Sequence, residues 1–144
     1  MAVTWPQGMV GVLVAVLSSL TTWAATRQWS PADLHVPRGA PADFAWVPLP
    51  EFGGEEAIIY RSPDGRRVAA AFRESGRATF TYPFDEFLVV TSGSVKMSVH
   101  GGETFSLHRG DVAYLRKGMV VDLEFSEGFS DVTCLMGDEP VKWR

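Results

Sequence analysis

Turn signals recur at short intervals from residue 57 onward, and that rhythm leaves room only for short strands. Two glycine-bounded stretches set it: Glu86-Phe-Leu-Val-Val-Thr-Ser-Gly93 and Gly110-Asp-Val-Ala-Tyr-Leu-Arg-Lys-Gly118. Six residues separate Glu86 from Gly93, and 16 separate Gly93 from Gly110. Residues 78–82 and 94–99 alternate apolar and polar side chains, the two-residue period of a strand with one buried face. The run 87–90 is apolar throughout, as expected of a strand buried on both faces. Ser62-Pro-Asp-Gly65 places proline second and glycine fourth, which suits a type I turn. His100-Gly-Gly-Glu103 reads as a hairpin turn. Further strands are predicted at 57–60, 67–72, 104–107, 112–115, 120–125 and 132–136. No helical period persists after Arg27, so the fold class is all-β, with about eight short strands spaced as in sandwiches and barrels. A double-sheet jelly roll closes such a set while limiting open edges. Another antiparallel sandwich satisfies the same pattern.

The length of 144 residues suits one domain. Nine Phe, five Trp and three Tyr supply bulky, rigid core side chains. A net charge of -4 carries no basic footprint, which argues against nucleic acid as a partner. The single cysteine, Cys134, excludes an intramolecular disulfide and reads as a small buried apolar residue.

Charge is absent from the N-terminus as far as Arg27. Within this segment a run of 12 apolar or small residues, from Met9 to Leu20, falls short of the about 20 that a spanning helix needs. It matches the core of a secretory signal, with Thr22-Trp-Ala24 as a small-x-small cleavage site, although no Lys or Arg precedes Met9. An uncleaved anchor over 9–25 and an ordinary structured segment are the alternatives. Secretion or periplasmic export follows from a cleaved signal, and a cytoplasmic location otherwise. Membrane association follows only from the anchor. The expected organisation is an apolar segment over 1–25, an arm over 26–56 and a domain over 57–144. Pro31, Pro37, Pro41, Pro48 and Pro50 forbid a long helix in the arm. Its Trp29, Phe44, Trp46 and Phe52 should lie across the domain or a neighbouring subunit.

Tyr82-Pro-Phe-Asp-Glu-Phe-Leu-Val-Val-Thr-Ser-Gly93, Gly110-Asp-Val-Ala-Tyr-Leu and Gly118 together resemble the paired motifs of the cupin superfamily. The similarity covers roughly residues 55 to 138, and its flavour is that of the ureidoglycine aminohydrolase and ethanolamine-utilisation cupins. It implies a single-domain jelly-roll β-barrel behind an extended N-terminal arm, and it implies a homodimer. Members of the superfamily usually hold a metal through three His and one Glu. Carried onto this chain, those positions are Phe80, Tyr82, Glu86 and Val121, and the usual proline of the second motif is Arg116. One carboxylate does not make a first-row metal site, so neither a metal nor another cofactor is expected. His35, His100 and His108 fall in the arm or at turns and read as surface residues.

Alternation along the chain sets residues 80, 82, 84 and 86 on one face. Glu86 should then point into the barrel beside Tyr82. A carboxylate in apolar surroundings has a raised pKa, which suits acid–base work near neutral pH. Glu86 and Tyr82 are therefore the candidate catalytic pair. Phe80, Phe84, Met97, Tyr114, Arg116 and Val121 are the candidate ligand-binding residues. Leu88, Val90, Val95, Val99, Leu123 and Phe125 are further inward candidates, and Arg73 and Arg77 could stand at the mouth. Asp85, next to Glu86, should face the opposite way and reads as a solvated or turn residue. The expected function is metal-independent binding of a small organic molecule, with proton-transfer chemistry of the isomerase or lyase kind. A non-catalytic binding or sensing module and a structural, partner-binding jelly roll are the alternatives.

Overall fold

A computed structural model describes residues 36–143. The signal or anchor expected over 1–25, together with Trp29, Pro31 and His35, lies outside the described residues. No helix among those described is long and apolar enough to cross a membrane.

The chain runs through eight strands: β1 Val47–Leu49, β2 Gly54–Arg61, β3 Arg67–Thr81, β4 Asp85–Ser92, β5 Ser94–Val99, β6 Thr104–His108, β7 Val112–Leu115 and β8 Val120–Met136. All pairings are antiparallel. Two strands, β3 and β8, are long enough to serve both sheets. The first half of β3 pairs with the second half of β8, and the order β1-β2-β3-β8-β4-β7 builds the larger sheet. Their other halves pair over Gly76–Thr81 and Val120–Phe125, and β5 and β6 extend that end into a smaller sheet.

Both long strands bend at one level. The register jumps between Glu74 and Gly76, opposite Ser126–Gly128. Gly76 takes φ 77°, a left-handed conformation that any other residue adopts with strain, so the bulge forms there. Gly93, at the β4–β5 turn, has φ 65° and faces the β8 bulge so closely that a Cβ would stand 2.7 Å from Ser126 Oγ. That close approach ties the β4–β5 corner to β8.

The division into predicted strands differs from the observed one in an instructive way. Residues 67–72 and 78–81 belong to one bent strand, Tyr82 falling just past its end, and 120–125 and 132–136 likewise belong to one. Polar residues at the bends (Ser75, Gly76, Ser126, Glu127, Gly128) broke the alternation without ending the strand. The arm also reaches into the sheet: β1 and the start of β2 lie before residue 57. The run 87–90 is not buried on both faces, because Phe87 is exposed while Leu88 and Val90 are buried. Cys134 is likewise exposed on the outer face rather than buried. It pairs there with Phe87 and Ala69, one residue out of phase with the inward Thr133 and Leu135.

The core lies between the two sheets. Its smaller-sheet half is apolar throughout: Val95, Met97, Leu107, Val121, Leu123 and Phe125. Its larger-sheet half mixes Val68, Ala70, Phe72, Leu88, Val90, Phe129 and Leu135 with buried Glu86, Asp131 and Thr133. Burial of apolar area stabilises both halves at roughly 25 cal/mol per Å².

Candidate functional site

A cavity of about 50 Å³ lies between the polar half and Phe80 and Leu123 of the smaller sheet. Strand β3 supplies Phe72, Glu74 and Phe80, the 82–84 turn supplies Tyr82 and Phe84, and β4 supplies Glu86. Phe52 and Trp143 stand over it from the segments before β2 and after β8. Phe52 packs edge-on against Phe80 at 5.4 Å between ring centres, and Trp143 does so against Phe72 at 6.0 Å. The volume admits a few water molecules or a ligand of that size.

Glu86 reaches this place because it is the second residue of β4, directly across from Leu135 and Leu115. Thr133 Oγ1 lies 2.6 Å from Glu86 Oε1 and 3.0 Å from the Phe87 carbonyl oxygen. A threonine hydroxyl has one hydrogen. It points at Glu86 when the carboxylate is ionised and turns to Phe87 when a protonated Glu86 donates to it. Both protonation states of Glu86 therefore keep a full set of bonds at Oε1. Burial raises the Glu86 pKa from 4.5 to about 7, with the Thr133 bond pulling the other way. The second oxygen of Glu86 has no protein partner among the described residues.

Two more acids share the region. Glu74 sits at the β3 bulge, half-buried, and lines both the cavity and an outer groove formed with Ser75, Ser92 and Ser130. Burial first, and Glu86 second, raise its pKa to about 8. Asp131, on β8 across from Phe72 and Val90, is buried, and its Oδ1 finds no hydrogen-bond partner among the described residues. Burial, then Glu74 and Glu86, push its pKa well up. Tyr82 is only 3% exposed. Its ring packs edge-on against Phe80 at 4.8 Å, and its hydroxyl bonds to no described residue. Burial, then the charges of Glu86, Glu74 and Asp131, hold that phenol well above its ordinary pKa, so it stays protonated.

The predicted site residues divide cleanly. Glu86, Tyr82, Phe80 and Phe84 do line one cavity. Met97 and Val121 are buried in the apolar half and do not line it. Tyr114 faces outward: the inward positions of β7 are Ala113 and Leu115, and the Tyr114 hydroxyl donates to Asp85 at 2.8 Å. Arg116 is exposed on the loop after β7. Arg73 and Arg77 do not guard the mouth. Arg73 is paired with Glu55 and stacks over Trp46 at 3.8 Å, and Arg77 pairs with Glu124. Asp85 is held below its usual pKa, first by the Lys117 backbone N–H and then by Tyr114, and it serves the turn. His100 is an exposed partner of Asp122.

Sequence reasoning missed Glu74, Asp131, Thr133, Phe52 and Trp143. Reading β8 as one strand would have placed 129, 131, 133 and 135 inward together. Nothing local marks Glu74, whose position depends on the bulge.

The superfamily's metal does not fit these residues. Phe80 and Val121 are carbon-faced, and no group of three His, Cys, Asp or Glu among the described residues is arranged to hold a metal ion.

Comparison with known proteins places this geometry. A family model described as the EutQ-like cupin domain matches residues 61–131. No curated protein sequence matches. Among solved structures, ethanolamine utilization protein Q of Salmonella typhimurium LT2 is similar, with a TM-score of 0.57 at 17% identity over 67% of this chain and 80% of that one. KdgF from a Halomonas species gives a TM-score of 0.57 at 17% identity over 72% and 94%. The polyketide cyclase RemF from Streptomyces resistomycificus gives 0.58 at 16% identity over 74% and 83%. At such identities the likeness establishes the jelly-roll fold alone. Together with the family match and the Glu86–Gly93 and Gly110–Gly118 motifs, it supports a cupin superfamily member that resembles the ethanolamine-utilisation cupins.

Proposed function

We propose that this cupin binds a small organic molecule over Glu86 and Tyr82 and exchanges a proton with it, without a metal. One observation carries this reading. Glu86 is buried, its pKa is raised to about 7, one oxygen is cradled in either protonation state by Thr133, and the other oxygen is left to the cavity. A carboxyl with a pKa near the working pH is both an adequate acid and an adequate base. Tyr82, kept neutral, supplies a hydroxyl that orients a ligand oxygen or nitrogen and donates to it. The polyketide cyclase among the similar structures is in keeping with cyclisation as one such reaction.

Binding without turnover is the second reading, favoured by the size of the cavity, about 50 Å³ beneath Phe52 and Trp143. A thermal-shift screen of small acids, polyols and amines tests the shared part. A hit should lose its stabilising effect in the double variant Tyr82→Phe, Glu86→Gln. An undiminished shift in that variant rejects the site. Deuterium uptake from D₂O into a carbon of the hit, catalysed by the native protein and lost in Glu86→Gln, separates turnover from binding alone.

A further inference from the structure

The cavity wall brings aromatic rings and acids together, and no cation among the described residues pairs with those acids. Phe72, Phe80, Phe84 and Trp143 line it with aromatic rings, Phe72 and Phe84 packed edge-to-face on Trp143. Glu74 and the free oxygen of Glu86 reach the same space, as does Tyr82, whose hydroxyl bonds to no described residue. None of the ion pairs among the described residues engages Glu74, Glu86 or Asp131. The nearby arginines are committed elsewhere: Arg61 bonds the Val141 carbonyl and stacks on Trp143, and Arg73 pairs with Glu55.

We infer that the cavity accepts a small organic cation, ammonium or a short primary amine, held between aromatic faces and the Glu74 and Glu86 carboxylates. This deepens the function proposed above and rests on it. Ring faces attract an ammonium group electrostatically, most strongly once it leaves water. The two carboxylates, with Asp131 behind them, compensate its charge, and the cation in turn relieves their mutual repulsion. Tyr82 accepts an N–H from it. A dehydrated divalent metal needs a shell of oxygen or nitrogen ligands, which no group of three His, Cys, Asp or Glu side chains among the described residues is arranged to provide. Glu74 also borders the outer groove.

The cation competes with the protons on Glu74 and Glu86, whose pKa values are raised to about 8 and about 7. Binding should therefore strengthen as pH rises. Asp131 and Tyr82 also face these groups, with Glu55 and Arg73 at the groove side.

The test is a thermal-shift titration of the native chain with methylammonium chloride. Sodium chloride at equal ionic strength, methanol and sodium acetate serve as controls, at pH 5 and pH 8. Methylammonium should stabilise beyond sodium chloride, more at pH 8 than at pH 5. Glu74→Gln and Glu86→Gln should each weaken its apparent affinity by at least about tenfold. The pH comparison needs no variant and stands if one fails to fold. Equal stabilisation by methanol or acetate, lost in Glu86→Gln, would leave the binding function intact and overturn the cation. Stabilisation by zinc or manganese but not by methylammonium would overturn it too. No shift from any compound of any charge removes both readings.

Discussion

The two halves of the barrel interior are built from the same bent strands and are opposite in character. Between β5, β6 and the first half of β8, the buried inward side chains are apolar: Val95, Met97, Leu107, Val121, Leu123 and Phe125. Between the second half of β8, the first half of β3 and β4, three acids and a threonine stand among the apolar residues. The first half is what folding wants, apolar volume without polar obligations. The second carries groups whose ionisation burial opposes. A region that sacrifices stability while its neighbour does not is where function is expected.

The comparison breaks first at the apolar end. Met97→Ala should cost about 2–5 kcal/mol, the range for truncating a buried aliphatic side chain, measured as the denaturant midpoint at constant slope. A cost below about 1 kcal/mol would mean that this half is no tighter than the other.

Glu86→Gln should act oppositely and with pH. A group whose folded pKa is raised contributes stability that is fully present below its unfolded value and is lost as pH rises through the folded one. For Glu86 that window runs from 4.5 to about 7, and Glu74 extends it to about 8. Across it the native chain should lose stability relative to Glu86→Gln, by roughly 3 kcal/mol if the whole shift is realised. Parallel stability curves for the two proteins between pH 5 and 8 would remove the contrast between the halves.

Tyr82→Phe should have the smallest effect. Its hydroxyl bonds to no described residue, so the change should move stability by less than about 1 kcal/mol while still weakening ligand binding. A larger loss of stability would make the hydroxyl structural.

The same contrast explains what was legible in the sequence. Alternation and glycine turns identified the all-β class and most strands, because one buried face imposes a two-residue period. The resemblance of the glycine-bounded motifs to those of cupins then selected the jelly roll. Where strands bend, the period slips. At Ser75–Gly76 and Ser126–Gly128 each long strand was read as two, and with the slip went the inward phase of Asp131 and Thr133 and the position of Glu74. On β7 apolarity misled in the other direction. Tyr114 and Val112 are the larger side chains but face outward, whereas Ala113 and Leu115 face the core. Glu86, Tyr82, Phe80 and Phe84 were legible because they lie within one unbroken motif. Phe52 and Trp143 arrive from distant segments, and no local pattern connects them to the cavity.

The central claim is that Glu86 shares a proton with its surroundings near neutrality. A ¹³C NMR titration of its side-chain carboxyl, assigned by comparison with Glu86→Gln, tests this directly. The account predicts a midpoint of about 7. A midpoint at an ordinary glutamate value, near 4.5, would contradict it.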